Sequence, residues 1–323
     1  MRFVVYGAGG IGGVLGARLS EQGNDVVLIA RGEHGETIRR RGLRVESPER
    51  TVTLPLRVEA HPSAVDWSDD DVVLLTMKSQ DTAPALDDLA PLVTVDTPVV
   101  CLQNGVANER MALRHFRNVY GVCVMCPTTY LEPGVVQANS VPNTGILDIG
   151  RYPLGVDDTA TAIAKAFCTS TYVSEARPDI MRWKYQKLLM NLANVIEAAC
   201  GPSGRAGELA ARTRAEGVAV LQAAGIDVAS DEEDRERRGD LLRMRPIDGQ
   251  RRGGGSTWQS LARGATSLET DYLNGEIVLL GREHDVPTPV NERLQALAHD
   301  LATTGAAPGS VNADDIVARL ERA

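Results

Sequence analysis

What the chain lacks narrows it first. No apolar run among the 323 residues reaches the roughly 20 needed to cross a bilayer. Positive charge is in deficit: 34 Lys and Arg stand against 43 Asp and Glu, a net charge of −9. That balance argues against a general role on nucleic acid or anionic membranes, and an anionic substrate would need local cations. The five cysteines are an odd number scattered through apolar stretches. Cys123 and Cys126 are spaced CxxC, but they lie in the strand-like run Gly121–Cys126. No second CxxC and no paired histidine supports zinc there, so they read as buried, reduced thiols of a cytoplasmic protein. The five histidines show no HxxxH spacing, and no metal is expected. Internal repeats and low-complexity tracts are absent beyond Gly253-Gly254-Gly255. The first residues read as a strand, so no signal peptide is expected.

What is present is organised around Met1 to Arg31. Arg2 to Tyr6 reads as a buried strand, Gly7-Ala8-Gly9-Gly10-Ile11-Gly12 as a turn, Gly13 to Gln22 as a helix and Asp25 to Ala30 as a second strand. Strand, glycine turn, helix and strand form the opening unit of a dinucleotide-binding fold. Gly7 permits the tight turn, Gly9 leaves a pyrophosphate free to approach, and Gly12 lets the helix pack on the strand. The helix N-terminus offers unpaired N–H groups to the phosphates. NAD sites place Asp or Glu at the end of the second strand; here Ala30 and Arg31 stand there. A guanidinium can pair with a 2′-phosphate in a fork, which points to NADPH. The opposing reading makes Arg31 a solvated loop residue, with Glu33 or Glu36 on a ribose.

Further along, Glu33 to Arg41 reads as a helix ending in a basic run, Arg39-Arg40-Arg41, which reads as a solvated helix end, with help to a phosphate as the alternative. Leu43 to Val58 alternates like a hairpin. Val72 to Met77 is a continuous apolar strand followed at once by Lys78. Pro98 to Leu102 is another, ending in Gln103-Asn104-Gly105. Ligands of open α/β sheets lie over the C-terminal strand edges, so Lys78 and Asn104 are cofactor candidates. Position alone leaves Lys78 equally an exposed loop residue, and Asn104-Gly105 is first of all a turn signal, but two polar residues on successive strand ends are a better signal than either alone. Strands at 119–124, 135–137, 145–149 and 172–173 and a helix at 159–168 complete a first domain closing near residue 175.

From Pro178 helical periodicity replaces strand-like runs, with helices expected at 179–199, 208–224, 231–242, 258–268, 271–283 and 290–302. The domains are expected at 1–175 and 176–323. Lys187, Asn191 and Asn194, spaced by four and three, share one face of the first helix, with Lys184 one turn earlier. The neighbouring residues are apolar, so this helix reads as buried, and buried amides need partners. The glycine run reads as a flexible break before Ser256-Thr257, which can cap the next helix.

The chain resembles the ketopantoate reductase (2-dehydropantoate 2-reductase) family nearly end to end. The resemblance rests on the glycine turn, Lys78, Leu102-Gln103-Asn104-Gly105, Lys187-Leu188-Leu189-Met190-Asn191, and Ser256-Thr257-Trp258-Gln259 leading into Glu269-Thr270-Asp271-Tyr272-Leu273-Asn274-Gly275. It implies an α/β N-terminal Rossmann-type doubly wound sheet and a C-terminal all-α domain. It further implies NADPH-dependent reduction of a 2-oxo acid, with 2-dehydropantoate in pantothenate biosynthesis foremost; the sequence leaves the assembly open, with a homodimer as one candidate. Lys187 is then the general acid, and Asn191 with Ser256 or Thr257 holds the substrate. Gly7, Gly9, Gly10, Ile11, Gly12, Arg31, Lys78, Asn104 and Glu269 surround the cofactor, with Glu269 also in a catalytic role.

Three departures stand out. The family's second asparagine falls here on Val195, so Asn194 is its expected substitute. Lys184-Tyr185-Gln186 separate Trp183 from Lys187, which makes Lys184 a reserve acid, and a threonine–tryptophan pair follows Ser256. The rival readings are a related NADP-dependent dehydrogenase acting on another 2-oxo acid, hydroxy acid or imine, and a non-catalytic NADPH-binding sensor.

Overall fold

The chain opens with β1 (Arg2–Tyr6), α1 (Gly10–Glu21) and β2 (Asp25–Ile29), strand and helix joined by the glycine turn. The computed structural model describes residues 1–320. α2 (Gly32–Arg41) ends in the exposed arginine run, which complements the helix C-terminus. The alternating stretch after it is a hairpin, β3 (Leu43–Glu46) with β4 (Thr51–Leu54), and then β5 (Arg57–Glu59) beside β2. The winding continues through β6 (Asp71–Leu75), α3 (Thr82–Leu89), β7 (Val99–Cys101), α4 (Asn108–Leu113) and β8 (Val119–Met125). Short strands β9 (Thr128–Thr129), β10 (Val135–Ala138) and β11 (Ser140–Pro142) lead to β12 (Gly145–Arg151), α5 (Asp158–Thr169) and β13 (Tyr172–Val173).

The main sheet has eight strands in the order β13-β12-β8-β7-β6-β1-β2-β5. Its centre is parallel, and β12 runs antiparallel to β8. Side chains of period two explain why its strands are apolar throughout. Phe3, Val5, Leu28 and Leu74 face a core with Leu15 and Leu19 of α1 and Phe167 of α5. Val4, Tyr6, Val27, Val73 and Leu75 face the opposite core, with Leu86 and Leu89 of α3 and Ala112 of α4. Burying such a leucine contributes roughly 1.5–3 kcal/mol. From β1 the chain passes to β2 on one flank and later to β6 on the other, the switch point where such sheets take ligands. A four-stranded sheet, β4-β3-β10-β9, lies over α1, with Val136 so close that a Cβ on Gly13 would fall 3.0 Å from it.

Two compact units result: Met1–Lys184 with Glu232–Arg252, and Tyr185–Asp231 with Gly253 onward. α6 (Ile180–Asn191) runs from the first into the second. α7 (Asn194–Cys200) and α8 (Glu208–Ala223) follow, then α9 (Asp231–Arg238), β14 (Leu242–Met244), α10 (Ser256–Ala262), α11 (Asn274–Glu283), α12 (Pro289–Thr304) and α13 (Ala313–Leu320). Pro289 sits in the first turn of α12, and Gly305 closes it in the left-handed conformation. The helical core joins Val195 and Ile196 of α7, Leu261 of α10, and Leu294, Ala298 and Leu301 of α12.

Two sequence expectations are corrected. The single helix over 179–199 is two helices, α6 and α7, interrupted at Leu192 and Ala193. The amide of Asn274 donates to the Leu192 carbonyl at 3.1 Å, so a side chain replaces the next helical bond. The segment after 231 is not all helix. α9 ends at Arg238, and β14 pairs antiparallel with β11, Val141 opposite Arg243. Arg237 of α9 grips the buried Asp148 carboxylate at 2.6 and 2.8 Å, alongside Arg177 at 2.7 Å.

Candidate active site

The first unit carries the expected cofactor residues other than Glu269, which belongs to the second unit, at or beyond the C-terminal edge of its central strands. Gly7 has φ +105°, a conformation that side chains disfavour, and a Cβ there would fall 2.9 Å from the Met77 nitrogen. A Cβ on Gly12 would lie 2.0 Å from the Gly7 carbonyl and 2.3 Å from Thr76 Oγ1, so α1 touches the turn and the residue after β6 with no room to spare. Gly9 differs: its Cβ would meet nothing nearer than the Tyr130 ring at 3.9 Å. Gly9 caps α1 without any side-chain hydrogen bond, and Gly10 and Ile11 open the helix, so its first N–H groups form a backbone cradle that no capping side chain occupies. That cradle suits a dinucleotide pyrophosphate, because an anion can approach bare backbone donors at the switch point.

Residues remote in sequence hold this turn, and nothing in the sequence signalled them. The Gly134 N–H donates to His34 Nδ1 at 2.9 Å, which fixes the neutral tautomer, and Nε2–H then donates to the Ala8 carbonyl at 2.7 Å. Burial pushes the His34 pKa below its ordinary value, the Ala8 hydrogen bond opposing. The His34 ring lies 4.5 Å from that of Tyr130. Thr76 Oγ1 donates to the carbonyls of Tyr6, at 3.1 Å, and Gly7.

Arg31 is the N-cap of α2, two residues past β2. Its side chain is 72% exposed, with Asp81 at 3.9 Å. Lys78 opens the turn after β6, and Asn104 follows β7. A buried network joins these two loops. Gln103 Nε2 donates to Thr82 Oγ1 at 2.7 Å, and Thr82 donates to Asn108 Oδ1 at 2.8 Å. The Asn108 amide donates to Ser79 Oγ and the Asn104 carbonyl, both at 3.1 Å.

Lys184, the reserve acid, is enclosed within this unit. Its amine lies 2.8 Å from Glu109 Oε1 and donates to the carbonyls of Gln103 at 2.9 Å and Val122 at 3.1 Å. Three oxygens around a buried ammonium make a strut. Cys101 nearby is buried and its thiol pKa is raised, chiefly by desolvation, which makes it a poor nucleophile. All five cysteines are free.

The second unit carries the expected substrate residues. Lys187 is half-buried on α6 and Asn191 is buried one turn on. Asn194 opens α7 past the helix break, and its Oδ1 accepts from Arg205. Ser256 and Thr257 begin α10. Ser256 does not cap the helix: the cap residue is Gly255, whose N–H donates to Glu197 Oε1 at 3.2 Å. Nor is the glycine run merely a loose link. A Cβ on Gly253 or Gly254 would strike the Trp258 side chain at 2.7 or 2.5 Å, so the bare backbone makes a bed for that ring. Ser256 Oγ is buried without a hydrogen-bond partner. Glu269, 5% exposed, begins a 3-10 turn that leads into α11. Arg205 and Glu197 were missed by sequence reasoning, because their role depends on how α7 and α10 pack.

Known proteins match this chain along most of its length. The family described as ketopantoate reductase PanE/ApbA matches residues 3–153, and its C-terminal counterpart matches residues 179–302. A 2-dehydropantoate 2-reductase of Halobacterium salinarum is 33% identical over 316 residues, covering 92% of this chain and 97% of the relative. The crystal structure of a PanE/ApbA family ketopantoate reductase from Ralstonia eutropha JMP134 superposes with a TM-score of 0.78 at 28% identity, covering 94% of this chain and 99% of that one. D-mandelate dehydrogenase, solved with NADH and anilino(oxo)acetate, shares the fold with a TM-score of 0.79 at 24% identity, over 94% of this chain and 99% of its own.

Proposed function

The chain belongs to the ketopantoate reductase family, and on that premise we propose that it reduces a 2-oxo acid to the 2-hydroxy acid with NADPH, 2-dehydropantoate being the first substrate to test. The observation that carries this reading is the bare cradle at Gly7–Gly12, open above Gly9 and closed below Gly12, at the switch point of the parallel sheet. When bound, the nicotinamide supplies a hydride. Arg31 supports the phosphorylated form, since an exposed guanidinium, and no carboxylate, follows the end of β2 and can pair with a 2′-phosphate. Lys78 and Asn104 are the further cofactor contacts.

The protein's own groups manage the charge of the reaction. Negative charge builds on the ketone oxygen as its carbon is reduced, and a cationic donor there stabilises that charge before giving up its proton. Lys187 takes this role, because Lys184 is already enclosed by Glu109 and two carbonyls. Asn191 and Ser256 hold the substrate, with Asn194 and Thr257 beside them. Glu269 orients the Lys187 ammonium or takes a substrate or ribose hydroxyl.

A second reading keeps the chemistry and changes the acid reduced. It is favoured by Val195, which stands where the family has its second asparagine, and by the engagement of Asn194, just past the helix break, with Arg205. Steady-state assays of 2-oxo acids with NADPH separate the two. Lys187→Ala should lower kcat by roughly 10²–10⁴-fold while NADPH fluorescence titration stays nearly unchanged. Tight NADPH binding with no oxidation by any 2-oxo acid would instead indicate a sensor.

A further inference from the structure

The second unit holds a cation that the reading above does not use. Arg205 lies in the 3-10 turn Pro202–Ala206, between α7 and α8. Two side chains of α7, one helical turn apart, grip its guanidinium: Nε lies 2.9 Å from Glu197 Oε2, and one Nη donates to Asn194 Oδ1. The other carboxylate oxygen of Glu197 accepts the Gly255 N–H at 3.2 Å. A Cβ on Gly255 would fall 2.7 Å from Glu197 Oε2 and 3.9 Å from Arg205 Nη2, so the guanidinium stands beside the residue that precedes Ser256. At Ser256 the hydroxyl is buried and has no partner. Such a group is costly to leave unmatched, and a ligand atom is a natural match.

The guanidinium is thus fixed on its Nε edge and at one Nη, while among the described residues its other Nη has no partner. With 43% of the side chain exposed, that edge can be reached from solvent. Glu197 orients the cation and leaves one side of the fork open. In a chain of net charge −9 an anionic substrate needs such a local cation. A carboxylate matches both free groups, since it can accept from a guanidinium N–H and a serine O–H together. We propose that Arg205 is a specificity-determining residue that, with Ser256 Oγ, takes the carboxylate of the 2-oxo acid. The inference rests on the 2-oxo acid reading, to which it adds the group that distinguishes acids from neutral ketones.

The test compares 2-dehydropantoate and 2-oxo-3-methylbutanoate with their methyl esters, in the unmodified enzyme and in Arg205→Gln and Arg205→Lys. Arg205→Gln should raise KM for the acids about tenfold or more, a loss of one charge-assisted contact. It should leave the esters within about twofold, so the acid-to-ester ratio of kcat/KM collapses; Arg205→Lys should restore part of it. Calorimetry with the 2-hydroxy acid product should show the same loss of affinity without turnover. A merely structural Arg205 would weaken acids and esters alike. An unchanged ratio, with the unmodified enzyme active on the acids, overturns the inference alone. No turnover of either acid by the unmodified enzyme overturns the substrate reading and the inference with it.

Discussion

Lys184 and Glu109 form a charge pair sealed from water, Nζ and Oε1 standing 2.8 Å apart with side chains 2% and 0% exposed. Gly121 of β8 makes the space, because a Cβ there would meet Glu109 Oε1 at 3.2 Å and Lys184 Cδ at 3.3 Å. The pair ties α4 to α6, while the same amine secures the carbonyls after β7 and within β8. Removing one partner strands the other charge, so Lys184→Met should cost about 3–5 kcal/mol in urea unfolding. Adding Glu109→Gln to that variant should recover a good part of the loss. Equal stabilities for the single and double variants would show that the charges are not coupled.

The glycines of the N-terminal turn should separate folding from binding. Gly12→Ala puts a methyl 2.0 Å from the Gly7 carbonyl, where only backbone can yield, and should lower the yield of folded protein sharply. Gly9→Ala meets only the Tyr130 ring at 3.9 Å and should fold with a Tm close to that of the parent. Its added methyl stands in the path of the pyrophosphate, and NADPH affinity by fluorescence titration should drop about tenfold or more. Unweakened binding in Gly9→Ala would place the phosphates elsewhere.

Arg31 bears on cofactor choice. Arg31→Ala should raise KM for NADPH roughly tenfold or more and leave KM for NADH within about twofold, because only the 2′-phosphate is lost as a partner. Arg31→Asp should widen the gap by repulsion. Equal effects on the two cofactors would move the phosphate away from this strand end. The side chain is largely exposed, so neither change should alter Tm measurably.

His34 gives the fold a definite acid sensitivity. Its folded pKa is held below the ordinary 6.5 chiefly by burial, so the unfolded chain takes up the proton first. Stability from His34 is therefore complete above about pH 6.5 and declines as the pH falls from there toward the lower folded value. Protonation also removes the acceptor that receives the Gly134 N–H. His34→Gln keeps an acceptor and a donor without titrating. The unfolding free energy of the parent minus that of His34→Gln should shrink as the pH is lowered below about 6.5. A difference that stays flat from about pH 8 to pH 5 contradicts the tautomer deduced from the geometry.

Much of the first unit could be read in advance because its strands are buried on both faces. Runs such as Val72 to Leu75 need no partner to announce themselves, and in the glycine turn after β1 Gly7 and Gly12 each have a steric reason to lack a side chain. Lys78 and Asn104 were legible as the polar residues that follow two such runs. What escaped depends on distant groups. β14 is three residues long with Arg243 at its centre, and it exists through pairing with β11 a hundred residues earlier. The interruption after Asn191 involves no glycine or proline; it depends on Asn274, whose amide is also held by Asn291 Oδ1 at 3.0 Å. His34, Thr76 and Arg205 carry no local signature, since each acts across a fold that only packing brings together.

The return of Glu232–Arg252 to the first unit has a practical consequence for anyone dissecting the protein. A fragment ended near residue 184 would lack β14 and would leave the sunken Asp148 with Arg177 as its one remaining guanidinium. Proteolytic or genetic trimming to an N-terminal cofactor module should therefore give a sticky, poorly behaved product. A serviceable minimal module would splice residues 1–184 to 232–252 through a short designed linker.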